Sequence, residues 1–329
     1  MYFKISIILF CLFSSIQLMA QPGNLADEVR KSETFSSLED ALKTPEKVYK
    51  LNLTFSGLTT LPASISKLSN LVVLRIKNSY LETLPPEIGQ LKNLQVLTIS
   101  GNNLTSLPKE IGQLKVLKIL VLSENKLTVL PPEIGNLKEL IELNVSDNKL
   151  KKLPDEVKKL RKLKIIRLNL NDISIFPLEI VDLPLLSEVN IIDNKIDMLP
   201  SYISKFQSLK ELYIWNNKLQ ELPSAIGSIT SLEIIGASEN QINLLPPEIG
   251  KLKNLRELYL VDNQITNIPR EICTLSNLRE IDLYNNLLST LPDEITSLSK
   301  LQKLNLRGNK FSDEEKAKWM KLLPYCIIF

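Results

Sequence analysis

Leu94-Gln-Val-Leu97-Thr-Ile99-Ser-Gly-Asn102-Asn-Leu104-Thr-Ser-Leu107-Pro108-Lys-Glu-Ile111-Gly-Gln-Leu114-Lys-Val116 is one unit of a pattern that returns every 23 residues from Val48 without insertion or deletion. Units begin at Val48, Leu71, Leu94, Leu117, Leu140, Leu163, Leu186, Leu209, Leu232, Leu255, Leu278 and Leu301, giving eleven full copies and a twelfth that departs after Phe311. Leu97 and Ile99 alternate with Val96, Thr98 and Ser100, so one set enters a core and the other faces outward from a strand. A unit this short cannot bury its apolar side alone; stacked units can, and the strands then line up as one open parallel sheet.

Two further columns fit the stack. Asparagine holds the turn position in ten successive copies, from Asn102 to Asn309, with Ser56 and Ser79 in the first two. A buried turn exposes backbone donors and acceptors, and a short amide stacked on the next amide is expected to satisfy them. Each full copy also carries a proline, from Pro62 to Pro292, after leucine in nine copies and after Phe176 and Ile268 in the other two, usually with glutamate two residues on. Proline at a first helical position loses no hydrogen bond, and an acid near it favours the positive end of a short helix. The column Glu87, Glu110, Glu133, Glu156, Glu179, Glu248, Glu271 and Glu294 is therefore read as helix-start chemistry on a solvated convex face, not as paired catalytic acids.

The ends differ from the repeats. Lys4 precedes the apolar run Ile5 to Phe13, and Ala20 stands before Gln21, the order of an export signal in residues 1–20. Residues 21–47 are expected to form a helical cap through the Ser36-Ser-Leu-Glu39 spacing, residues 48–310 the repeats, and residues 311–329 a second cap. There Ser312 to Glu315 starts a helix, Trp319, Met320 and Leu323 give its apolar face, and Tyr325 to Phe329 can add a strand. The final Cys326-Ile-Ile-Phe329 also fits a prenylation box, but an exported chain does not meet the cytosolic enzyme. Cys273 and Cys326 lie about three repeats apart, roughly 14 Å along the axis, beyond the reach of a disulfide.

Composition argues against catalysis. The chain of 329 residues has no histidine, which removes the usual general base and most zinc and iron sites. No Gly-rich phosphate loop is present and no cofactor is expected. Lysine plus arginine number 40 against 37 acids, a net charge of +3 that points to neither nucleic acid nor a membrane surface. Basic residues thicken around Lys149 to Lys164, without interleaved aromatics, as on a solvated edge.

Repeats of 23 residues with the LPxEIxxL return resemble the SHOC-2 and plant disease-resistance group of leucine-rich repeats, and the exported form resembles secreted or surface leucine-rich repeat proteins of bacteria. The resemblance covers residues 48–310 and implies a horseshoe with strands on the concave face and short helices or turns on the convex face. The bacterial relatives imply partner binding, often at a host surface; the cytosolic ones imply scaffolding around Ras-type GTPases. A bacterial branch with ubiquitin-ligase chemistry keeps it on a further C-terminal domain, and nineteen residues follow Lys310 here, so that activity is not carried over. The expectation is a non-enzymatic, monomeric binding module, secreted or at the cell surface (periplasm or outer membrane included), with no membrane anchor once the signal is removed. The alternative is a cytosolic signalling scaffold.

Outward positions carry the individuality of the chain. The middle row ends Tyr213, Gly236, Tyr259, Asp282, and the next row ends Trp215, Ser238, Val261, Tyr284. Large aromatics in these rows appear only in repeats eight to eleven, where a solvated sheet gives them no folding reason to gather. Gly236 between two tyrosines predicts a slot of roughly 9.6 Å, two strand spacings, with Ser238 on its floor. The face runs from basic (Lys50, Arg75, Lys77) to acidic (Glu188, Glu211, Glu257, Asp262, Glu280, Asp282), so the expected partner brings basic and apolar or aromatic groups.

Overall fold

The computed structural model describes residues 29–328. The predicted signal at residues 1–20 lies outside them. Among the described residues all strands form one 14-stranded parallel sheet in sequence order. They are β1 (Thr34–Phe35), β2 (Lys50–Asn52), β3 (Val73–Lys77), β4 (Val96–Ser100), β5 (Ile119–Val121), β6 (Glu142–Asn144), β7 (Ile165–Arg167), β8 (Glu188–Asn190), β9 (Glu211–Tyr213), β10 (Ile234–Gly236), β11 (Glu257–Tyr259), β12 (Glu280–Asp282), β13 (Lys303–Asn305) and β14 (Ile327–Ile328). From β2 to β13 the register advances by one repeat per strand, as in Ile234↔Glu257 and Gly236↔Tyr259. The fold is the expected horseshoe solenoid, and every inward leucine or isoleucine of these strands, from Leu51 to Leu304, is buried.

The return segments are short 3-10 helices such as Pro132–Asn136. Proline after leucine does not take the first helical position as expected. It sits one residue earlier: Pro131 has φ −68° and ψ 145°, the extended geometry of a cap residue, and the second proline, Pro132, is the first helical residue. The fixed proline φ suits either place, but the turn of the chain into the helix needs an extended residue immediately before it. Packing between neighbouring turns is close enough that a Cβ on Gly135 would lie 2.5 Å from the backbone oxygen of Glu156.

The asparagine column works differently from an amide-to-amide stack. Asn148 Oδ1 accepts the backbone N–H of Leu127 at 2.9 Å, and its Nδ2 donates to the carbonyls of Leu122, Val145 and Ser146 at 3.0, 3.0 and 3.1 Å. Each amide thus ties its own turn to the main chain of the preceding repeat. The residue before it adopts a left-handed conformation, with φ 53° at Asp147 and 54° at Leu170, which turns the chain out of the strand. Ser56 and Ser79, at the start of the column, share a hydroxyl hydrogen bond of 3.1 Å.

Both ends are covered. At the N-terminus β1 pairs with β2, and helix α1 (Leu38–Ala41) begins at Ser37, whose hydroxyl accepts from the Asp40 N–H. The capping spacing therefore falls one residue later than Ser36 to Glu39. At the C-terminus Ser312 caps helix α2 (Asp313–Leu322) by accepting from the Glu315 N–H. Trp319 is fully buried and donates to Glu315 Oε2 at 2.8 Å, while Met320, expected on the same apolar face, is exposed. One position along a helix turns a side chain by roughly 100°, which carries Met320 away from the face Trp319 buries. Cys273 and Cys326 are both free thiols. Burial, then the Glu294 charge, pushes the Cys273 thiol up to about 11.

Candidate functional site

The outward rows of β9 to β12 place all eight predicted residues on one stretch of the open face. Gly236 is in register with Tyr213 on one side and Tyr259 on the other, and Tyr259 with Asp282. Trp215, Ser238, Val261 and Tyr284 follow two residues after each. The predicted slot is closed. A Cβ built on Gly236 would overlap Trp215 Nε1 and lie 2.7 Å from Cε2, so the indole leans from its own repeat across β10 and fills the space the glycine leaves. Its ring meets Tyr213 edge-on at 6.4 Å and Tyr259 at 6.2 Å, both in the T-shaped range that aromatic quadrupoles favour. The result is a half-exposed aromatic ridge in place of a cleft.

The remaining residues divide into engaged and open groups. Ser238 is buried and its Oγ accepts the Val261 N–H at 3.0 Å, so the hydroxyl expected to orient a ligand already serves the fold. Asp282 is buried and accepts from Asn305 Nδ2 at 2.9 Å and from the Tyr284 N–H at 3.1 Å. Lys303 neutralises much of its corner, 2.5 Å from Glu280 and 3.7 Å from Asp282. Tyr284 is exposed at 39% and extends the ridge toward the C-terminus.

Beside the ridge runs an acidic shelf. The Tyr213 hydroxyl donates to Glu211 Oε2 at 3.0 Å, and the Tyr259 hydroxyl to Glu257 Oε2 at 2.8 Å. Burial, and next the charge of Glu188, raises the Glu211 carboxyl above its usual value. Both tyrosine hydroxyls are held well above the phenol range, chiefly by burial. One cluster escaped the sequence reading: Arg167 bridges Glu142 at 2.6 Å and Glu188 at 2.9 Å, with all three side chains largely buried. Its signal was present as the spacing from 142 to 167 and from 167 to 188, which puts an arginine between glutamates two strands apart.

At the other end of the face the expected basic residues stand on the paired strands β2 (Lys50) and β3 (Arg75 and Lys77), and burial lowers the Arg75 pKa from its usual value. At the starts of β3, β4 and β5, Val72, Val73, Val96 and Ile119 form an apolar cluster with Val29 of the N-terminal segment. The depression of about 410 Å³ lined by Asp197 to Tyr202, Glu221 and Pro223 lies among the turns that follow the strands, away from the ridge. Among the described residues no group of side chains is arranged to hold a metal ion, and no helix is long and apolar enough to cross a membrane.

With this geometry established, comparison with protein families finds leucine-rich repeat models over residues 46–104, 92–150, 115–173 and 253–311, and a second over 208–229. The chain belongs to the leucine-rich repeat family. A solved Leptospira interrogans leucine-rich repeat protein is 34% identical over 91% of this chain and 100% of its own, with a TM-score of 0.52. The plant peptide hormone receptor RGFR1, solved in complex with RGF2, is 27% identical over 84% of this chain, with a TM-score of 0.63. This leucine-rich repeat chain spans 54% of that receptor structure. An internalin from Listeria monocytogenes shares the fold at 22% identity over 86% of this chain, with a TM-score of 0.65. No curated protein matches the chain, and the families found indicate no catalytic activity.

Proposed function

We propose that this leucine-rich repeat chain is an exported, monomeric, non-enzymatic module that binds a protein partner through the C-terminal half of its concave face. The observation that carries this reading is the ridge of Tyr213, Trp215 and Tyr259, held by edge-to-face contacts on the outward side of the sheet where folding does not require it. The acidic shelf gives that ridge a direction: a partner with basic groups approaches it favourably. The plant receptor solved with RGF2 supports use of such a solenoid for peptide or protein recognition. Export rests on residues 1–20. Protein isolated from its native cell is expected to begin at Gln21, and an intact Met1 on soluble cytosolic protein would remove that part of the reading.

The binding surface is tested with peptides selected from a random library against the whole chain. Trp215→Ala is expected to weaken the selected peptides by about 2 kcal/mol, as loss of a hot-spot anchor does. Val121→Ala, on the same face in repeat four, and Tyr202→Ala, among the turns, are expected to leave affinity unchanged. Equal binding by Trp215→Ala and the unmodified chain would place recognition elsewhere.

A further inference from the structure

The open face contains the same arrangement twice, once with its arginine and once without. In the first copy Glu142, Ile165 and Glu188 are in register across β6, β7 and β8, and Arg167, two residues after the isoleucine, bonds both glutamates. In the second, Glu211, Ile234 and Glu257 are in register across β9, β10 and β11, and the position two residues after the isoleucine is Gly236. The carboxylates again stand two strands apart, about 9.6 Å at the backbone. Neither Glu211 nor Glu257 forms an ion pair among the described residues. The cations beside them, Lys210 and Arg256, are bonded to Glu233 at 2.9 and 3.4 Å.

We infer that the space above Ile234, between Glu211 and Glu257, receives the guanidinium of an arginine side chain brought by the partner, a role that rests on the concave-face reading. Each tyrosine hydroxyl holds Oε2 of its glutamate, leaving Oε1 to accept from the incoming group. Half-exposed Ile234 offers an apolar floor to the guanidinium plane, and the flanking rings of Tyr213 and Tyr259 add cation–π attraction. The indole of Trp215 over Gly236 blocks entry from the C-terminal side of the strands, so the side chain comes from above. A single metal ion does not fit the spacing, because cation to oxygen distances of roughly 2.5 Å cannot span two strands. A planar fork does, as Arg167 demonstrates in the first copy.

The two tryptophans provide the test. Trp215 adjoins the site and Trp319 is the buried residue of the C-terminal cap helix, so their indole N–H resonances report binding and reference within one chain. Titration of the whole protein with Nα-acetylarginine amide is expected to shift the Trp215 signal saturably and leave that of Trp319 in place, and the neutral citrulline analogue to shift neither. Glu211→Gln and Glu257→Gln, which keep shape, are each expected to weaken the probe at least about fivefold, while Glu239→Gln on the outer turn leaves it unchanged. A linear response, equal shifts with citrulline, or unaltered affinity in both glutamine variants at the site overturns the assignment. The concave-face reading fails separately: selected peptides would then tolerate Trp215→Ala whether or not the arginine probe binds.

Discussion

Arg167→Leu is expected to destabilise the solenoid by about 3–5 kcal/mol, the cost of leaving buried carboxylates without their cation. Glu142 is 5% exposed and accepts from Arg167 Nη1 at 2.6 Å; Glu188 accepts from Nη2 at 2.9 Å. Neither glutamate has another ion-pair partner among the described residues to fall back on. The energetics predict an asymmetry. Replacing Glu142, Arg167 and Glu188 together by leucine removes the desolvation cost with the charges and is expected to fall within about 1 kcal/mol of the unmodified protein or above it. Urea unfolding of the two variants decides between an essential ion network and one that any well-packed set could replace. A single variant as stable as the parent would show that Glu142 and Glu188 reach water when the arginine is gone. Because repeats contact only neighbours, the loss is expected first in β6 to β8, read as faster hydrogen exchange there.

Asn148→Leu, close in volume, is expected to cost about 3–4 kcal/mol, and the arithmetic rests on what each partner has left. The carbonyls of Leu122, Val145 and Ser146 lose a donor but keep others, from Asn125, Asn171 and Glu124. The N–H of fully buried Leu127 has Asn148 Oδ1 as its acceptor and becomes an orphan. One orphaned buried donor accounts for roughly 1–3 kcal/mol and the lost amide donations for the rest. Asn148→Asp is expected to be no milder, since a carboxylate accepts from Leu127 but repels the three carbonyls. Asn309, itself half-buried at the end of the column, provides the contrast: its partners Leu288, Leu283 and Leu306 are as buried as those of Asn148, but Asn309→Leu is expected to cost about 1 kcal/mol less because water reaches the position the amide leaves. Equal losses at both positions in thermal unfolding would contradict the role assigned to burial.

The fold was legible because period and alternation are properties of the chain itself. A repeat of constant length fixes the register, so the inward face at Leu97 and Ile99 and the outward rows at Tyr213 and Trp215 followed from counting. What counting cannot supply is the direction a side chain takes after it leaves the backbone. Gly236 marked free space correctly, but the indole of Trp215 is long enough to cross one strand spacing, and burying its ring edges against two tyrosines is more favourable than leaving a wet gap. Ser238 had the right position for an orienting hydroxyl, yet the Val261 N–H beside it needed an acceptor. The Glu142–Arg167–Glu188 bridge was missed for the complementary reason: Glu188 was read as one of a row of outward acids, without the one-repeat register that places it beside Arg167 and Glu142 on adjacent strands. Shifts of one residue at Ser37 and at the prolines reflect local turn geometry that periodicity does not resolve.

The central claim is that partners meet the ridge and shelf of β9 to β12. Its most direct test is a photocrosslinking pair on the whole chain, with benzoylphenylalanine at Tyr284, exposed at the end of the ridge, or at Tyr202, exposed beside the depression among the turns. With a saturating library-selected peptide, covalent capture is predicted from position 284 and not from position 202. Capture from 202 with none from 284 would contradict the account.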